Sequence, residues 1–299
     1  MFKEFYCLKN VELKSYTTIK IGGKADFIIF PKNIKELIKI LKIIKKNNLK
    51  YIFLGNGSNI LFDSDGFGGV VISLKYFNKI SLKKSKSVIQ NFEFVRAGAG
   101  VNLFALNKFC CDNGLSGLEW SYGIPASLGG LVFMNGGSFG HEICEFVDSL
   151  VIFDLEIEKV VYLDRDQINF EYRTSNLKKC VVLSVVLKLK IDKKENVQKQ
   201  MNEYFKQKKE IQPYDKFSLG SVFKIIFKDE PIYPAKLIDN LGLKGVKIGG
   251  AEISTKHAGF IINSGDATSK DVLDLIELIK KRVSQYGVEL QEEIIVCKK

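Results

Sequence analysis

The sequence predicts a mixed α+β protein with more than one domain. A strand–helix–strand pattern covers residues 27–54, and residues 149–190 are rich in strand-like apolar segments. The stretch 192–210 is strongly charged and has apolar residues at helical spacing. Because the composition changes near Asp192, we place a domain boundary there and expect domains of residues 1–191 and 192–299.

The first helix is predicted to have a defined start. Asn33 precedes apolar residues at helical spacing, and Glu36 follows it three positions later, which is typical of a capping box. Residues 51–54 have the composition of a buried strand and lead into the loop Gly55-Asn-Gly-Ser-Asn59. This loop has only part of a dinucleotide-binding glycine pattern, so a simple turn and a ligand loop both remain open.

The rest of the chain predicts further short strands and two more regular helices. Strands are expected at residues 69–73 and 92–97, and a helix at residues 102–113. A second capping box, Thr268-Ser-Lys-Asp271, opens the most regular amphipathic helix, and Gly287 is placed to end it. Residues 288–297 are predicted to form the last strand.

Composition and charge restrict the class of protein. The chain has 299 residues, 46% of them hydrophobic, which is enough for a sizeable core. Its apolar runs are much shorter than the roughly 20 residues of a membrane span, and its N-terminus lacks a signal-peptide layout, so we expect a cytoplasmic protein. Six cysteines without Cys-x-x-Cys spacing and two histidines do not favour a metal site. The net charge of +11 fits either a lysine-rich solvated surface or an anionic ligand.

The stretch Gly123 to Gly140 contains six glycines around Ser127, Asn135 and Ser138. Glycine permits positive φ and the close approach of another group to the backbone. Exposed backbone N–H groups suit an anion such as a pyrophosphate, so the stretch fits a cradle for a large, partly polar ligand. The alternative is a pair of tight turns around one buried strand, and the run alone does not decide between the two.

Several motifs occur together in one order along nearly the whole chain. They are Gly55-Asn-Gly-Ser-Asn-Ile-Leu61, Gly123-Ile-Pro-Ala-Ser-Leu-Gly-Gly130, Tyr172-Arg173, Gly220-Ser-Val-Phe-Lys224, Gly242-Leu-Lys-Gly245 with Ser254-x-Lys-His257, and Gly287-Val-x-Leu290 followed by Glu293. Together they resemble the UDP-N-acetylenolpyruvoylglucosamine reductases of peptidoglycan synthesis, the MurB family.

The resemblance implies a fold and a reaction. The fold is an FAD-binding domain of the vanillyl-alcohol-oxidase (PCMH) type in two lobes, about residues 1–72 and 73–191, plus a C-terminal α+β substrate domain. The last strand would return to the flavin site. NADPH would reduce noncovalent FAD, which would then reduce the enolpyruvyl ether of UDP-N-acetylglucosamine enolpyruvate to UDP-N-acetylmuramate. The resemblance further implies the compact family branch and a monomer. We expect this protein to bind neither nucleic acid nor membrane.

Three catalytic residues are implied by the same resemblance. Ser221 would protonate the enolate left by hydride addition, supported by water or Lys224. Arg173 would pair with the substrate carboxylate through its forked donors. Glu293 would act beside that carboxylate as a protonated hydrogen-bond donor, which requires burial to raise its pKa. Its neighbour Glu292 would point to the opposite face of a strand, so only one of the two acids can serve.

The resemblance also implies ligand-binding residues. FAD would be held by Asn56, Gly57, Ser58, Asn59, Ile60, Gly123, Ile124, Ser127, Gly129, Gly130, Asn135 and Gly140. Tyr172 and Lys224 are expected at the substrate, no metal is expected, and His257 is expected to have a buried structural role.

The sequence departs from the family pattern at a few positions. Ala126 stands where a glycine is usual, and it is tolerated there unless its φ is positive. Ile225 replaces a polar residue, and Ile211 replaces a basic one before Gln-Pro. The sequence does not indicate which lysine would compensate among Lys216, Lys228 and Lys236.

Two other functions remain open at this point. One is another FAD-dependent sugar or hydroxy-acid oxidase or dehydrogenase of the same fold, in which Ser221 and Glu293 would have no role. The other is a non-catalytic nucleotide- or nucleic-acid-binding protein, suggested by the positive charge. The presence of Ser221, Arg173 and Glu293 together argues against the second.

Overall fold

The computed structural model describes residues 1–83 and 91–299. The chain divides into two compact units, each assembled from separate segments. Unit 1 comprises Met1–Cys7, Ile29–Asn56 and Val71–Gln207, and unit 2 comprises Leu8–Ile28, Gly57–Val70 and Lys208–Lys299. These units cut the chain differently from the expected domains 1–191 and 192–299, whose assignment stays a prediction.

Helices and short strands alternate along the chain. The helices are α1 (Ile34–Lys46), α2 (Leu103–Asp112), α3 (Leu128–Phe133), α4 (Lys194–Ile211), α5 (Pro234–Asn240) and α6 (Ser269–Ser284). The strands are β1 (Cys7–Glu12), β2 (Lys24–Ile29), β3 (Tyr51–Leu54), β4 (Ile60–Phe62), β5 (Phe67–Ser73), β6 (Ile80–Leu82), β7 (Phe92–Gly98), β8 (Leu115–Ser116), β9 (Gly137–Ser138), β10 (His141–Glu142), β11 (Val147–Asp154), β12 (Lys159–Asp164), β13 (Phe170–Glu171), β14 (Thr174–Ser175), β15 (Cys180–Ile191), β16 (Phe217–Ser221), β17 (Lys247–Ile248), β18 (Ala251–Ile253), β19 (Phe260–Asn263) and β20 (Ile295–Cys297).

Unit 1 is built around an antiparallel sheet of order β12-β11-β15-β7-β6, with β8 paired to the end of β15. The central strand β15 carries a nearly continuous run of buried Val and Leu, as expected for a strand covered on both faces. The hydrophobic core of unit 1 also includes Trp120, Leu106 and Leu128. Helix α3 therefore packs with the same core as the sheet.

Unit 2 contains a second antiparallel sheet, of order β16-β19-β18-β17, and a parallel pair of β20 with β4. Helix α6 covers this core with its predicted apolar face, which consists of Val272, Leu275, Ile276, Ile279 and Val283. Strand β5 is divided between the two units, with Val70 in unit 2 and Val71 in unit 1.

The predicted helix starts are confirmed with one difference. Thr268 and Asp271 form the complete capping box of α6. At α1, the Asn33 side chain accepts from the Glu36 N–H at 3.0 Å, but the Glu36 carboxylate accepts from the Lys32 N–H at 2.9 Å. The box is thus shifted by one residue on its acidic side.

Two strand expectations differ from the structure. Of the last strand predicted over residues 288–297, only β20 at Ile295–Cys297 is regular, preceded by a single bridge between Phe223 and Glu292. The stretch from Gly123 contains the short helix α3 in place of a buried strand. Among the described residues, no helix is both long and apolar enough to cross a membrane.

Candidate active site

The two glycine-rich loops approach each other within unit 1. The Asn56 side-chain amide donates to the Pro125 carbonyl at 2.7 Å. A Cβ built on Gly55 would lie 2.6 Å from Ser127 Oγ, so the approach requires a glycine there or a shift of the serine. Gly55, Asn56 and Pro125 are all exposed, and the loops therefore present an open surface made largely of backbone.

Helix α3 follows the second loop and is pressed against the end of β7. The Gly129 N–H donates to the Ala99 carbonyl at 2.8 Å, and a Cβ on Gly129 would lie 2.7 Å from the Ala99 Cβ. The N–H of Gly130 donates to Ser127 Oγ at 3.4 Å, which caps the helix. Both glycine N–H groups thus have partners in the chain, and Gly129 has no room for a side chain beside Ala99.

The exposed backbone at Gly130 and Gly140 fits a flavin-binding role. Gly130 and Gly140 are exposed, and apart from its chain neighbours a Cβ on Gly140 would meet no atom of the described residues within 4 Å. A Cβ on Gly130 would meet Ser127 Oγ at 3.2 Å. Bare backbone facing open space allows a large planar or phosphate-bearing ligand to come close. Binding of FAD at Gly123, Ile124 and the other loop positions stays a prediction.

The end of the first loop belongs to unit 2, where it holds the C-terminal segment. The Asn59 side-chain amide donates to the Glu293 carbonyl at 3.1 Å, and Ile60 pairs with Ile295 in the β4–β20 pair. Gly57 has φ +68, and a Cβ there would overlap the Tyr16 carbonyl oxygen. Part of the predicted FAD loop, Gly57-Ser58-Asn59-Ile60, therefore also positions the predicted catalytic acid.

Ser221 and Glu293 are brought onto neighbouring segments in unit 2. Ser221 ends β16, where Gly220 at φ +78 interrupts the pairing with β19. Immediately after it, the Glu293 N–H donates to the Val222 carbonyl at 2.7 Å, and the Lys224 N–H donates to the Gln291 carbonyl at 2.9 Å. Ser221, Lys224 and Glu293, which are predicted to lie at the substrate, are thus carried by two adjacent segments of the chain.

The neighbouring acid Glu292 has a different partner. Its carboxylate forms an ion pair with Lys280 of α6, and this hydrogen bond raises the pKa of the Lys280 ammonium. Glu292 is therefore engaged on the α6 side of the unit. The catalytic role of Glu293 stays a prediction.

Arg173 lies in the two-residue turn between β13 and β14 with φ +55. Its guanidinium donates to the Glu142 carboxylate at 3.0 Å and to the Gly137 carbonyl at 3.1 Å. It also lies against the ring of Tyr172, with 4.6 Å between the guanidinium carbon and the ring centroid. The predicted carboxylate-binding arginine is thus part of an ordered cluster in unit 1.

The sequence assigned no role to Glu142 and gave no sign of the contacts that Asn135 makes within the chain. The Asn135 amide nitrogen donates to Glu142 at 2.8 Å and to the Glu171 carbonyl at 3.0 Å, and its oxygen accepts from the Cys144 N–H at 3.2 Å. Asn135 is only 1% exposed, so this placement favours a supporting role over the predicted FAD contact. The one available signal for Glu142 was its place two residues after Gly140.

The structure also shows the surroundings of His257, of Ala126 and of the three lysines considered from the sequence. His257 Nδ1 accepts from the Gly259 N–H at 3.1 Å, and burial lowers the pKa of the imidazole, as suits a neutral structural histidine. Ala126 is not among the described non-glycine residues with positive φ, so its place in the family loop is unstrained. The lysines proposed to compensate for Ile211 and Ile225 are all exposed, and the choice among Lys216, Lys228 and Lys236 stays a prediction.

The fold and the paired glycine loops define a protein of the FAD-binding-domain class. Residues 25–156 match the family described as FAD binding domain, and residues 212–297 match the C-terminal domain of UDP-N-acetylenolpyruvoylglucosamine reductase. The chain belongs to the UDP-N-acetylenolpyruvoylglucosamine reductase family. This confirms the predicted family and fold class.

Individual relatives match along almost the full chain. The reductase of Caldicellulosiruptor bescii is 40% identical over 292 residues, covering 96% of this chain and 89% of its own. That of Thermotoga maritima is 38% identical, covering 95% of this chain and 96% of its own. The crystal structure of the Thermus caldophilus reductase aligns with a TM-score of 0.79 and 32% identity over 98% of both chains.

Proposed function

We propose that the protein reduces the enolpyruvyl ether of UDP-N-acetylglucosamine enolpyruvate to the lactyl ether of UDP-N-acetylmuramate, using FAD and NADPH. The observation that carries the proposal is the pairing of the segment after Ser221 with the segment of Glu293 in a chain that belongs to this reductase family. The other flavin oxidases considered from the sequence have no use for this pair. The positive charge of the chain needs no nucleic acid to account for it.

Bound FAD supplies the hydride that no side chain can provide. Addition of hydride at one carbon of the double bond leaves an enolate conjugated with the carboxylate. Ser221 donates its hydroxyl proton to the neighbouring carbon, and Lys224, on the same segment, supports the return of a proton to the serine. A neutral Glu293 donates a hydrogen bond where the negative charge develops.

Arg173 binds the substrate carboxylate through its planar fork of donors. Asn56, Gly57, Ser58, Asn59, Ile60 and the loop from Gly123 to Gly130 hold the cofactor, and Tyr172 contributes to the substrate pocket. We also propose that the protein acts as a monomer in the cytoplasm and that its partners are small molecules. Sedimentation analysis of the purified protein tests the monomer.

One assay tests the proposal as a whole. The purified protein should show a flavin spectrum and should oxidise NADPH rapidly only when UDP-N-acetylglucosamine enolpyruvate is present. The product should have gained two hydrogens by mass spectrometry. A colourless protein that takes up no FAD would contradict the proposal. NADPH oxidation that does not need this substrate and yields hydrogen peroxide would instead indicate an oxidase.

A further inference from the structure

A network of side chains in unit 1 fixes the guanidinium of Arg173. One terminal nitrogen donates to Glu142 Oε1 at 3.0 Å and also faces the Asn135 carbonyl at 3.4 Å, and the other donates to the Gly137 carbonyl at 3.1 Å. The arginine side chain is 14% exposed and that of Glu142 is 29% exposed. Charge-assisted hydrogen bonds in such partly desolvated places are stronger than those at the surface.

Glu142 is engaged at both carboxylate oxygens. Oε2 accepts from the Asn135 amide at 2.8 Å, while Oε1 faces Arg173. Asn135 is held in turn by the carbonyl of Glu171 and the N–H of Cys144. Because Asn135 is almost fully buried, the carboxylate is fixed from the core side and transmits that position to the guanidinium.

The backbone around this network is also unusual. Arg173 has φ +55, and Asn135 has φ +45, both in the left-handed region that non-glycine residues seldom occupy. Such conformations persist where the surroundings determine them, and they concentrate at functional sites. Arg173 and Asn135 therefore both lie on backbone that the surrounding structure holds in a defined conformation.

We propose that Glu142 is a positioning residue, which holds the Arg173 guanidinium in the orientation that binds the carboxylate of the enolpyruvyl substrate. This inference rests on the proposed function and extends it to a residue that acts through another. A guanidinium ordered before binding does not have to be ordered by the substrate, and this lowers the cost of binding. It also keeps the bound carboxylate in one place during reduction.

Glu142→Gln tests the proposal with little change in volume. The amide nitrogen of glutamine would face a donor, either Arg173 or Asn135, so at least one of the two contacts is lost. We expect the oxidised FAD-loaded enzyme to bind UDP-N-acetylglucosamine enolpyruvate about 10- to 100-fold more weakly in calorimetry. Binding of UDP-N-acetylglucosamine, which lacks the carboxylate, should be unchanged. Flavin reduction by NADPH should also keep its rate.

Two comparisons separate positioning from a general loss of structure. Glu171→Gln removes the same charge from an exposed side chain on the β13–β14 hairpin that carries Arg173, and it should behave as the wild type. In an Arg173→Lys background, Glu142→Gln should cause little further loss, because its effect passes through the guanidinium. If Glu142→Gln does not fold, Glu142→Asp is measured in the same way.

If Glu142→Gln weakened the binding of UDP-N-acetylglucosamine as much as that of the enolpyruvyl substrate, the positioning role would be overturned. It would also be overturned if the fold-losses in affinity of Arg173→Lys and Glu142→Gln simply multiplied in the double variant. The outcome is separable from that of the proposed function. If the wild-type enzyme did not turn over the enolpyruvyl substrate, the proposed function itself would be contradicted. A wild-type enzyme that turns it over, beside a Glu142→Gln variant that binds both ligands normally, removes only this inference.

Discussion

The side chain of Asn59 donates a hydrogen bond to the backbone carbonyl of Glu293 at 3.1 Å, while the Asn59 carbonyl accepts from the N–H of Ile295 at 2.9 Å. A loop predicted to bind the cofactor thereby fixes the segment that carries the predicted catalytic acid. Loss of the amide leaves the Glu293 carbonyl without this donor but keeps the backbone pairing of β4 with β20.

We expect Asn59→Ala to lower the free energy of unfolding by about 1–2 kcal/mol, measured by urea denaturation. It should also slow reoxidation of the reduced flavin by the enolpyruvyl substrate, because Glu293 loses one of its supports. Asn47→Ala is the control, since Asn47 also donates from its side chain to a backbone carbonyl, that of Ile43 at 2.7 Å. Reoxidation at the wild-type rate in Asn59→Ala would show that this contact does not position the acid.

Gly129 and Gly130 are adjacent but differ in the space that surrounds them. A methyl group on Gly129 would collide with Ala99, whereas one on Gly130 would meet the Ser127 Oγ atom at 3.2 Å. Gly129→Ala should therefore destabilise the protein by roughly 1–3 kcal/mol through overpacking. Gly130→Ala should leave the stability of the FAD-free protein within about 0.5 kcal/mol of the wild type, because alanine favours the helix.

The two variants also test the flavin cradle. If the open face of Gly130 is where the cofactor approaches, Gly130→Ala should release FAD more readily than the wild type, as followed by flavin fluorescence. Full retention of FAD in Gly130→Ala would contradict the placement of the cofactor at this glycine.

Lys208 is 2% exposed, and burial lowers the pKa of its ammonium from 10.5 to about 8. Between those values the unfolded chain binds more protons at this site than the folded protein, so stability should rise with pH. The gain is absent below pH 8 and complete above pH 10.5, and it amounts to about 3 kcal/mol.

Lys208→Met should remove this rise of stability with pH. Urea denaturation from pH 7 to pH 10.5 measures the difference between the two proteins. Lys209→Met alters an exposed neighbour and should keep the wild-type pH dependence. Parallel curves for wild type and Lys208→Met would mean that the ammonium stays charged in the folded protein.

Glu292 and Glu293 allow a test with adjacent, chemically identical residues. Glu293→Ala should slow the substrate-dependent reoxidation of the flavin by about 10²- to 10⁴-fold, the usual range for a group that assists proton transfer. Glu292→Ala removes only the pair with Lys280 and should change that rate by less than about twofold, with a small loss of stability. The reverse ranking would assign the catalytic role to Glu292.

Local sequence patterns predicted the elements that have local causes. The capping residues Asn33 and Thr268 and the apolar face of α6 all lie where periodicity placed them. Helix α3 was not predicted, because Leu-Gly-Gly-Leu is a poor helix-forming sequence. Its stability comes from contacts such as that of Gly129 with Ala99, which no local pattern reveals.

For the candidate site, too, the sequence indicated individual residues but not the long-range contacts between them. The motif resemblance selected Ser221, Arg173 and Glu293, and each lies in an ordered environment within its unit. It could not reveal that Asn135 and Glu142 support Arg173, because these contacts join residues that are far apart in sequence. The inclusion of residues 8–28 and 57–70 in unit 2 is likewise a product of long-range packing.

Ser221 carries the central claim, since it is the group proposed to complete the reduction. Stopped-flow measurement of the two half-reactions of Ser221→Ala tests this most directly. We predict that NADPH reduces the flavin of this variant at nearly the wild-type rate, while reoxidation by UDP-N-acetylglucosamine enolpyruvate slows by about 10²-fold or more. Equal slowing of both half-reactions, or reoxidation at the wild-type rate, would contradict the role of Ser221 as the proton donor.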